Sequence, residues 1–357
     1  MLRRRTFLAG SLALGASGIM SNQSGANPRP AWRVPAEEDP HELTFMQWPV
    51  SRQVYDDSEF LTDVQRTIAK IAAAISDFEP VIMLASGDAH GRARKMLSAS
   101  VELWDIATED LWCRDSGPLF ARMDTGDLAV SHLQFNGWGG KQVHRHDQAI
   151  AAQVAARLEL PVMASGLVGE AGGVEQDGHG LLMAHESSWV NENRNPGQSR
   201  DQIEQRLLAA YGADHLIWAP GVWGQDITDY HIDSLARFTG PGQALINLSQ
   251  RPDPHDPFHQ AGLDTRDQLL AAGVQVKEIA EPDYRRVTSP EFVASYANYY
   301  VCNGAVMMAA FGDQNSDAAA VEALQSFYPG REIVALNVDL LGELGGGIHC
   351  ATQQLPA

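Results

Sequence analysis

The chain predicts an α/β fold of about five repeated strand–helix units. Three observations carry this. Five helical patterns run along the sequence, and each is followed within a few residues by a short apolar strand. No Pro/Ser-rich linker divides the chain after its N-terminal segment. The repeat is one of pattern, without identity between units. One domain over 27–357 is preferred; the alternative architecture is a doubly wound sheet.

The elements follow in order. Phe60, Leu61, Val64, Ile68, Ile71, Ala72 and Ile75 write the first helix, with Ser58 as its expected N-cap. Ile150, Val154, Ala155 and Leu158 write the second. Ile203, Leu207, Leu208 and Tyr211 write the third, after Ser199 as a cap. The segments 264–272 and 317–327 are the fourth and fifth. The strands that follow them are Val81–Ala85, Pro161–Ala164, His215–Ala219, Val274–Ile279 and Ile333–Leu336. Further strand-like runs are Gly180–Met183, Ala244–Leu248 and Ala305–Phe311.

Composition narrows the function. The 357 residues are 44% hydrophobic and include 8 Trp, enough for a substantial core. The formal net charge of −19 repels nucleic acid and anionic membrane and attracts small cations. Cys113, Cys302 and Cys350 are odd in number and widely spaced, with no C-x-x-C. Neither a disulfide framework nor a zinc site is indicated, and no cofactor is expected.

The N-terminus reads separately. Arg3-Arg4-Arg5-Thr6-Phe7-Leu8 precedes an apolar run through Met20 that is short for a bilayer span. This resembles a twin-arginine export signal over 1–26, with Ser24-Gly25-Ala26 as the cleavage region. The expectation is a protein handed to the twin-arginine translocation machinery and exported to the periplasm or beyond. No further transmembrane run follows. Oligomeric state is left open, a homo-oligomer included.

The polar motifs fall in loops after the strands. They are Glu109–Pro118, Gly169–Gly173, Asp226–Asp233 and Gly345–Cys350. In the last, three glycines bring the backbone close to something, and a cysteine follows almost at once. The set is one candidate thiol, one histidine and several carboxylates. Cys with His suits nucleophilic catalysis. Carboxylates around a thiol raise its pKa unless a cation neutralises them, so the substrate itself is inferred to be the cation. A guanidinium fits best, because its planar fork matches carboxylates bidentately. His231-Ile232-Asp233 alone is too sparse for a transition metal.

W-x-R-D-x-G-P (Trp112–Pro118), F-N-G-W-G-G-K (Phe135–Lys141), H-x-D (His231–Asp233) and G-G-G-I-H-C-x-T-Q-Q-x-P (Gly345–Pro356) together resemble the agmatine deiminase family. That family is grouped with the bacterial peptidyl-arginine deiminases in the guanidino-modifying (pentein) superfamily. Thr44–Pro49, Glu170–Gly180 and Asn193–Pro196 agree with it, so the resemblance covers roughly 35–357. It implies a five-bladed α/β propeller with the active site on its axis, and metal-free hydrolysis of a guanidine to a urea with release of ammonia. By match, Cys350 attacks the guanidinium carbon and Asp115 and Asp233 grip its nitrogens. His231 protonates the departing ammonia and then activates water against a thiouronium intermediate. Glu170 orients His231. Gly346 and Gly347 allow the close backbone approach.

Simpler roles compete with these. Cys113 and Cys302 sit among apolar strand residues and read as structural. His349 would point away from Cys350 in an extended segment and also reads as structural. Asp110 reads as a solvated turn residue. Trp112 and Trp138 suit core anchors as well as pocket walls, where a face over a guanidinium contributes about 0.5–2 kcal/mol. Two departures from the family pattern stand out. Ala171 replaces the second residue of E-G-G, and Tyr230 replaces a glycine beside His231, where it would narrow or line the pocket. Asp229 adds a carboxylate suited to a primary amine. The leading expectation is hydrolysis of agmatine to N-carbamoylputrescine and ammonia. Alternatives are a deiminase of free or peptidyl arginine, a periplasmic guanidine- or polyamine-binding protein without turnover, and an amidinotransferase.

Overall fold

Each helical stripe in the sequence is a crossover between two parallel strands. The computed structural model describes residues 31–289 and 291–357. The expected export signal lies outside the described residues. Helices α1 (Ser58–Ser76), α2 (Ile150–Arg157), α3 (Arg200–Tyr211), α4 (Pro257–Ala271) and α5 (Gln314–Phe327) are five such crossovers. They join His41–Gln47 to Val81–Ala85, Leu128–His132 to Val162–Ala164, and Leu181–His185 to His215–Ala219. The last two join Gln243–Leu248 to Gln275–Ala280 and Ala305–Ala309 to Glu332–Leu336.

In every unit the strand before the helix also pairs antiparallel with one further strand. These partners are Leu119–Met123, Val174–Gln176, Ala236–Gly240 and Tyr300–Cys302 in the later four units. In the first unit the partner is the C-terminal strand Thr352–Pro356. The strands form five separate sheets of three or four strands, so a single doubly wound sheet is excluded.

The caps show why the helices start where they do. Asp57, not Ser58, caps α1; its carboxylate accepts from the amides of Glu59 and Phe60. Ser199 caps α3 in a reciprocal box with Gln202, as expected. Helix α4 begins well before 264, at Pro257, whose missing N–H costs nothing in the first turn. On α1, Leu61, Val64, Ile68, Ile71, Ala72 and Ile75 are buried and pack in the same core as Met46 and Met83. Burial stabilises by about 1.5–3 kcal/mol for each larger side chain. Among the described residues no helix is long and apolar enough to cross a membrane.

The topology positions the site. The segment immediately upstream of each unit's antiparallel partner strand carries a polar side chain. Asp115 precedes Leu119, Glu170 precedes Val174, and His231 and Asp233 precede Ala236. Asn298 precedes Tyr300, and Cys350 precedes Thr352.

Candidate active site

Cys350, His231, Asp115, Asp233 and Glu170 come together from four of these segments, and all are buried. The thiol of Cys350 lies 3.4 Å from Asp233 Oδ2. His231 Nδ1 lies 3.7 Å from Asp115 Oδ1, and its Nε2 lies 3.2 Å from Glu170 Oε2. Both ring nitrogens thus face carboxylates, which favours the imidazolium. Gly172 permits this approach: a Cβ there would stand 2.7 Å from Asp115 Oδ1 and 2.9 Å from His231 Nδ1. The close backbone approach is therefore kept at Gly172, and Ala171 beside it is tolerated in the core.

The segments are fixed from behind. Ser116 donates to Gln47, and Gln47 donates to the carbonyl of Asp110, which ties the Trp112–Pro118 loop to the strand His41–Gln47. Arg114 does not pair with Asp115. Its guanidinium reaches Glu37 at 2.7 Å, and its amide donates to the Cys350 carbonyl at 3.0 Å, which locks the two loops together. Trp138 donates from Nε1 to Asp115 Oδ2 at 2.9 Å. Its backbone is left-handed (φ 54°), which aims the indole inward from a glycine-rich turn. Gly346 lies under Trp112: a Cβ would stand 2.5 Å from the ring and 3.3 Å from the Cys350 sulfur. At Gly347 a Cβ would stand 2.6 Å from Asn298 Oδ1.

The electrostatics leave this cluster short of a cation. Burial raises the Cys350 thiol, and Asp233 and Asp115 raise it further, so it stands well above its ordinary value. Burial raises Asp115 to about 6, partly offset by His231. Burial alone would depress His231, but Asp115 and Glu170 outweigh it and lift the ring to about 9. For Glu170, Arg194 and His231 outweigh burial and hold the carboxyl below its usual range. Asp233 is held low against burial by His349 and His231. Asp233 Oδ1 is buried and has no hydrogen-bond partner among the described residues. A buried carboxylate oxygen without a donor is costly, and a carboxylate oxygen can accept from a ligand N–H.

Several expectations need correction. Asp229 does not wait for an amine. Its Oδ2 takes Lys141 Nζ and Arg194 Nη1, both at 2.8 Å, and its Oδ1 takes the Gly224 amide. Tyr230 does not wall the thiol pocket. Its ring stacks on His185 at 4.7 Å and meets Phe258 edge-on. Asp229 and Tyr230 both have left-handed backbones (φ 59° and 68°), which turns their side chains from the extended-chain direction. His349 lies in a turn rather than an extended segment. Its Nδ1 lies 2.7 Å from Asp233 Oδ2 and its Nε2 3.1 Å from Glu37, so it holds the site carboxylate from behind. Asp110 is buried and accepts from Tyr55 and Gln142. Trp112 is both a core residue and a neighbour of Gly346. Cys113 and Cys302 are buried and free.

Two residues escaped the sequence reading. Arg194 donates through Nε to both oxygens of Glu170 at 2.9 Å and through Nη1 to Asp229. It lies in the Asn193–Pro196 motif, which was visible without a role. Asn298 contacts the Cys350 sulfur at 3.0 Å. Its signal was positional: it lies upstream of the fifth unit as the other site residues lie upstream of theirs.

Comparison with known proteins finds matches whose range takes in all of these segments. The profile of the Porphyromonas-type peptidyl-arginine deiminase family matches residues 33–356. A Medicago truncatula agmatine deiminase is 31% identical over 368 residues, covering 91% of this chain and 96% of the relative. A Streptomyces coelicolor protein to which the same activity is ascribed is 36% identical, covering 91% of this chain and 99% of the relative. The solved agmatine deiminase of Enterococcus faecalis superposes with a TM-score of 0.83 at 27% identity, covering 91% of this chain and 96% of that one.

Proposed function

The chain belongs to the Porphyromonas-type peptidyl-arginine deiminase family, and from that premise we propose that it hydrolyses agmatine to N-carbamoylputrescine and ammonia. It is a hydrolase of guanidino C–N bonds. The observation that carries the substrate class is the unpartnered Asp233 Oδ1 beside a thiol that burial and two carboxylates keep protonated. A guanidinium between Asp115 and Asp233 supplies the missing donors and the missing positive charge together. It also favours the thiolate, because it offsets the carboxylates that raise the thiol.

In the proposed sequence the Cys350 proton passes to solvent as the guanidinium binds, and the sulfur attacks the guanidinium carbon, forming a C–S bond as the C–N π bond opens. His231 gives its proton to one amino nitrogen, the C–N bond breaks and ammonia leaves, with an S-linked thiouronium remaining. Neutral His231 then takes a proton from water as the oxygen adds to the carbon. The C–S bond breaks as the C=O forms, and the remaining hydroxyl proton passes to the sulfur, which leaves the ureido product, the Cys350 thiol and protonated His231. Glu170, held by Arg194, keeps His231 oriented. Asp115 and Asp233 hold the carbon near the sulfur throughout. We read the five units as blades around a common axis, with 27–357 as one catalytic domain. We also propose export through the twin-arginine machinery, on the residues Arg3–Met20.

The pH dependence tests the assignment. Asp115 must be anionic to pair with the guanidinium, so kcat/KM falls as pH drops through about 6. His231 must be protonated to release ammonia, so kcat/KM falls as pH rises through about 9. The expected profile for agmatine is a bell with these limbs, each reporting the coupled cluster in the free enzyme. A rate that climbs steadily beyond the upper limb, as for simple thiol deprotonation, contradicts it.

A further inference from the structure

We propose that Asp229 is a positioning residue for His231: it holds the Arg194 guanidinium between two carboxylates, and so fixes where Glu170 sits and how much charge Glu170 presents to the imidazole. The proposal rests on the deiminase reading for what His231 does, and on the contacts of Asp229 for how the ring is held.

Three site loops meet at Asp229. Its Oδ2 takes Lys141 Nζ and Arg194 Nη1, both at 2.8 Å, and Asn193 Nδ2 at 3.1 Å. Lys141 follows the turn that carries Trp138, the donor to Asp115. Arg194 is the partner of Glu170. Asp229 itself stands two residues before His231. Lys141 also donates to the carbonyls of Asp226 and Ile227, at 3.2 and 3.0 Å, so its ammonium is bound to the His231 loop. Burial opposes the Asp229 charge, but Lys141, Arg194, Asn193 and the Gly224 amide outweigh it and hold the carboxyl below its usual range.

Charge therefore alternates from the partly exposed Lys141 through Asp229, Arg194 and Glu170 to His231. Arg194 Nε donates to both oxygens of Glu170, while Nη1 is turned to Asp229 and Nη2 to the Thr228 carbonyl. An arginine with one carboxylate favours two parallel N–H···O bonds. Here Asp229 and Thr228 occupy the outer nitrogens, so Glu170 receives a single N–H and keeps Oε2 3.2 Å from His231 Nε2. Without the Asp229 charge, Arg194 neutralises Glu170 alone, and the field that favours the imidazolium weakens. Without Lys141, Asp229 draws more strongly on Arg194, and the field strengthens.

The other groups around the ring have their own partners. Burial depresses His231, and Asp115, Glu170 and Asp233 raise it. Asp115 takes Trp138, and Asp233 is tied to His349. The Cys350 thiol, raised by burial and then by Asp233 and Asp115, is neutral. His185 is held down at about 4 by burial and carries no charge toward the ring. Asp226, in the same loop as Asp229, accepts from the Thr228 and Tyr230 amides and the Thr228 hydroxyl. Glu170 is thus the carboxylate whose effect on His231 is set through an arginine, and Asp229 is the second acid on that arginine.

A purely structural alternative makes Asp229 only a staple between loops. Two variants of opposite charge effect separate the readings. Asp229→Asn keeps the shape and one acceptor oxygen but removes the negative charge. Lys141→Met keeps the side-chain length and removes the positive charge. The first readout is the NMR titration of His231 in the substrate-free protein carrying isotope-labelled histidine, its signal identified as the one missing from His231→Gln. The second is the alkaline limb of kcat/KM for agmatine. The proposal expects Asp229→Asn to lower both by about one pH unit, the scale of one nearby unit charge. It expects Lys141→Met to raise both by about 0.3 unit, less because water screens the partly exposed amine. An unmoved His231 titration in either folded variant, or shifts of the same sign in both, would establish the staple and overturn the proposal. If Asp229→Asn does not fold, Lys141→Met decides alone: an upward shift supports the proposal and its absence overturns it. Because the NMR titration needs no substrate, failure here is distinct from failure of the deiminase reading, which appears as no turnover in the unaltered protein.

Discussion

Replacing Cys350 with alanine is expected to lower kcat for agmatine by about 10⁵–10⁶-fold, the scale seen when an enzyme loses its covalent nucleophile. The size follows from the site's composition. Cys113 and Cys302 are buried, and burial holds both thiols well above their ordinary range, so neither substitutes for Cys350. In the proposed mechanism Asp115 and Asp233 grip the guanidinium and carry no covalent step. The variant should therefore still bind agmatine, because both carboxylates remain and the bulk removed is small. Isothermal titration with agmatine and a product assay separate the two effects: binding kept, turnover lost. Substantial turnover by Cys350→Ala would refute covalent catalysis at this residue.

Replacing His231 with glutamine is expected to lower kcat about 10²–10⁴-fold, the usual contribution of a positioned acid or base. Glutamine retains a donor toward Glu170 and leaves the Glu170–Arg194 pair intact, so packing is largely preserved. What disappears is a proton that can be given to the leaving nitrogen and recovered from water. The alkaline limb near pH 9 should vanish with it, because His231 is the group lifted there by Asp115 and Glu170. A variant that keeps that limb would assign the proton transfers to another group. Loss of His231 also removes a positive charge beside Asp115 and Asp233, which favours their protonation at the low end of the range.

Much of this was legible in the residues, and the gaps have physical causes. The strands Val81–Ala85 and His215–Ala219 occur with the bounds their apolar runs imply. The apolar pattern marks helix α4 only from 264, because its first turns, Pro257–Gly262, lack a clean apolar stripe and are announced only by the Asp256 cap and Pro257. The five acid, base and thiol residues that the fold brings together are legible because their types are chemically distinctive and their motifs are ordered. Side-chain direction was not legible. Asp229 and Tyr230 sit in left-handed backbone, and nothing in a non-glycine sequence announces that. Extended geometry would point His349 away from Cys350, and the glycine-rich turn does not adopt it. Arg194 and Asn298 are hidden in the sequence for another reason. A buried arginine acts through partners distant in sequence, here Glu170 and Asp229. An asparagine within Ser295-Tyr-Ala-Asn298-Tyr-Tyr300 looks like part of a core strand.

His349 shows how far the site extends beyond its reacting atoms. It joins Asp233 to Glu37, and Glu37 also takes Arg114 and Arg237. Breaking a buried pair of this kind by removing one partner costs about 3–5 kcal/mol. The cluster therefore fixes Asp233 as a charged, aimed carboxylate before substrate arrives, which is preorganisation of the electrostatic kind.

One measurement bears most directly on whether this protein turns over a guanidinium at Cys350. Purified protein with reduced thiols is incubated separately with agmatine, arginine and an arginine-containing peptide, and ammonia and ureido product are quantified. The expected result is ammonia and N-carbamoylputrescine from agmatine in equal amounts, at a higher kcat/KM than for either arginine substrate. Higher kcat/KM for free or peptidyl arginine would move the substrate assignment while keeping the chemistry. No ammonia from any of the three, with Cys350 reduced, would contradict the account.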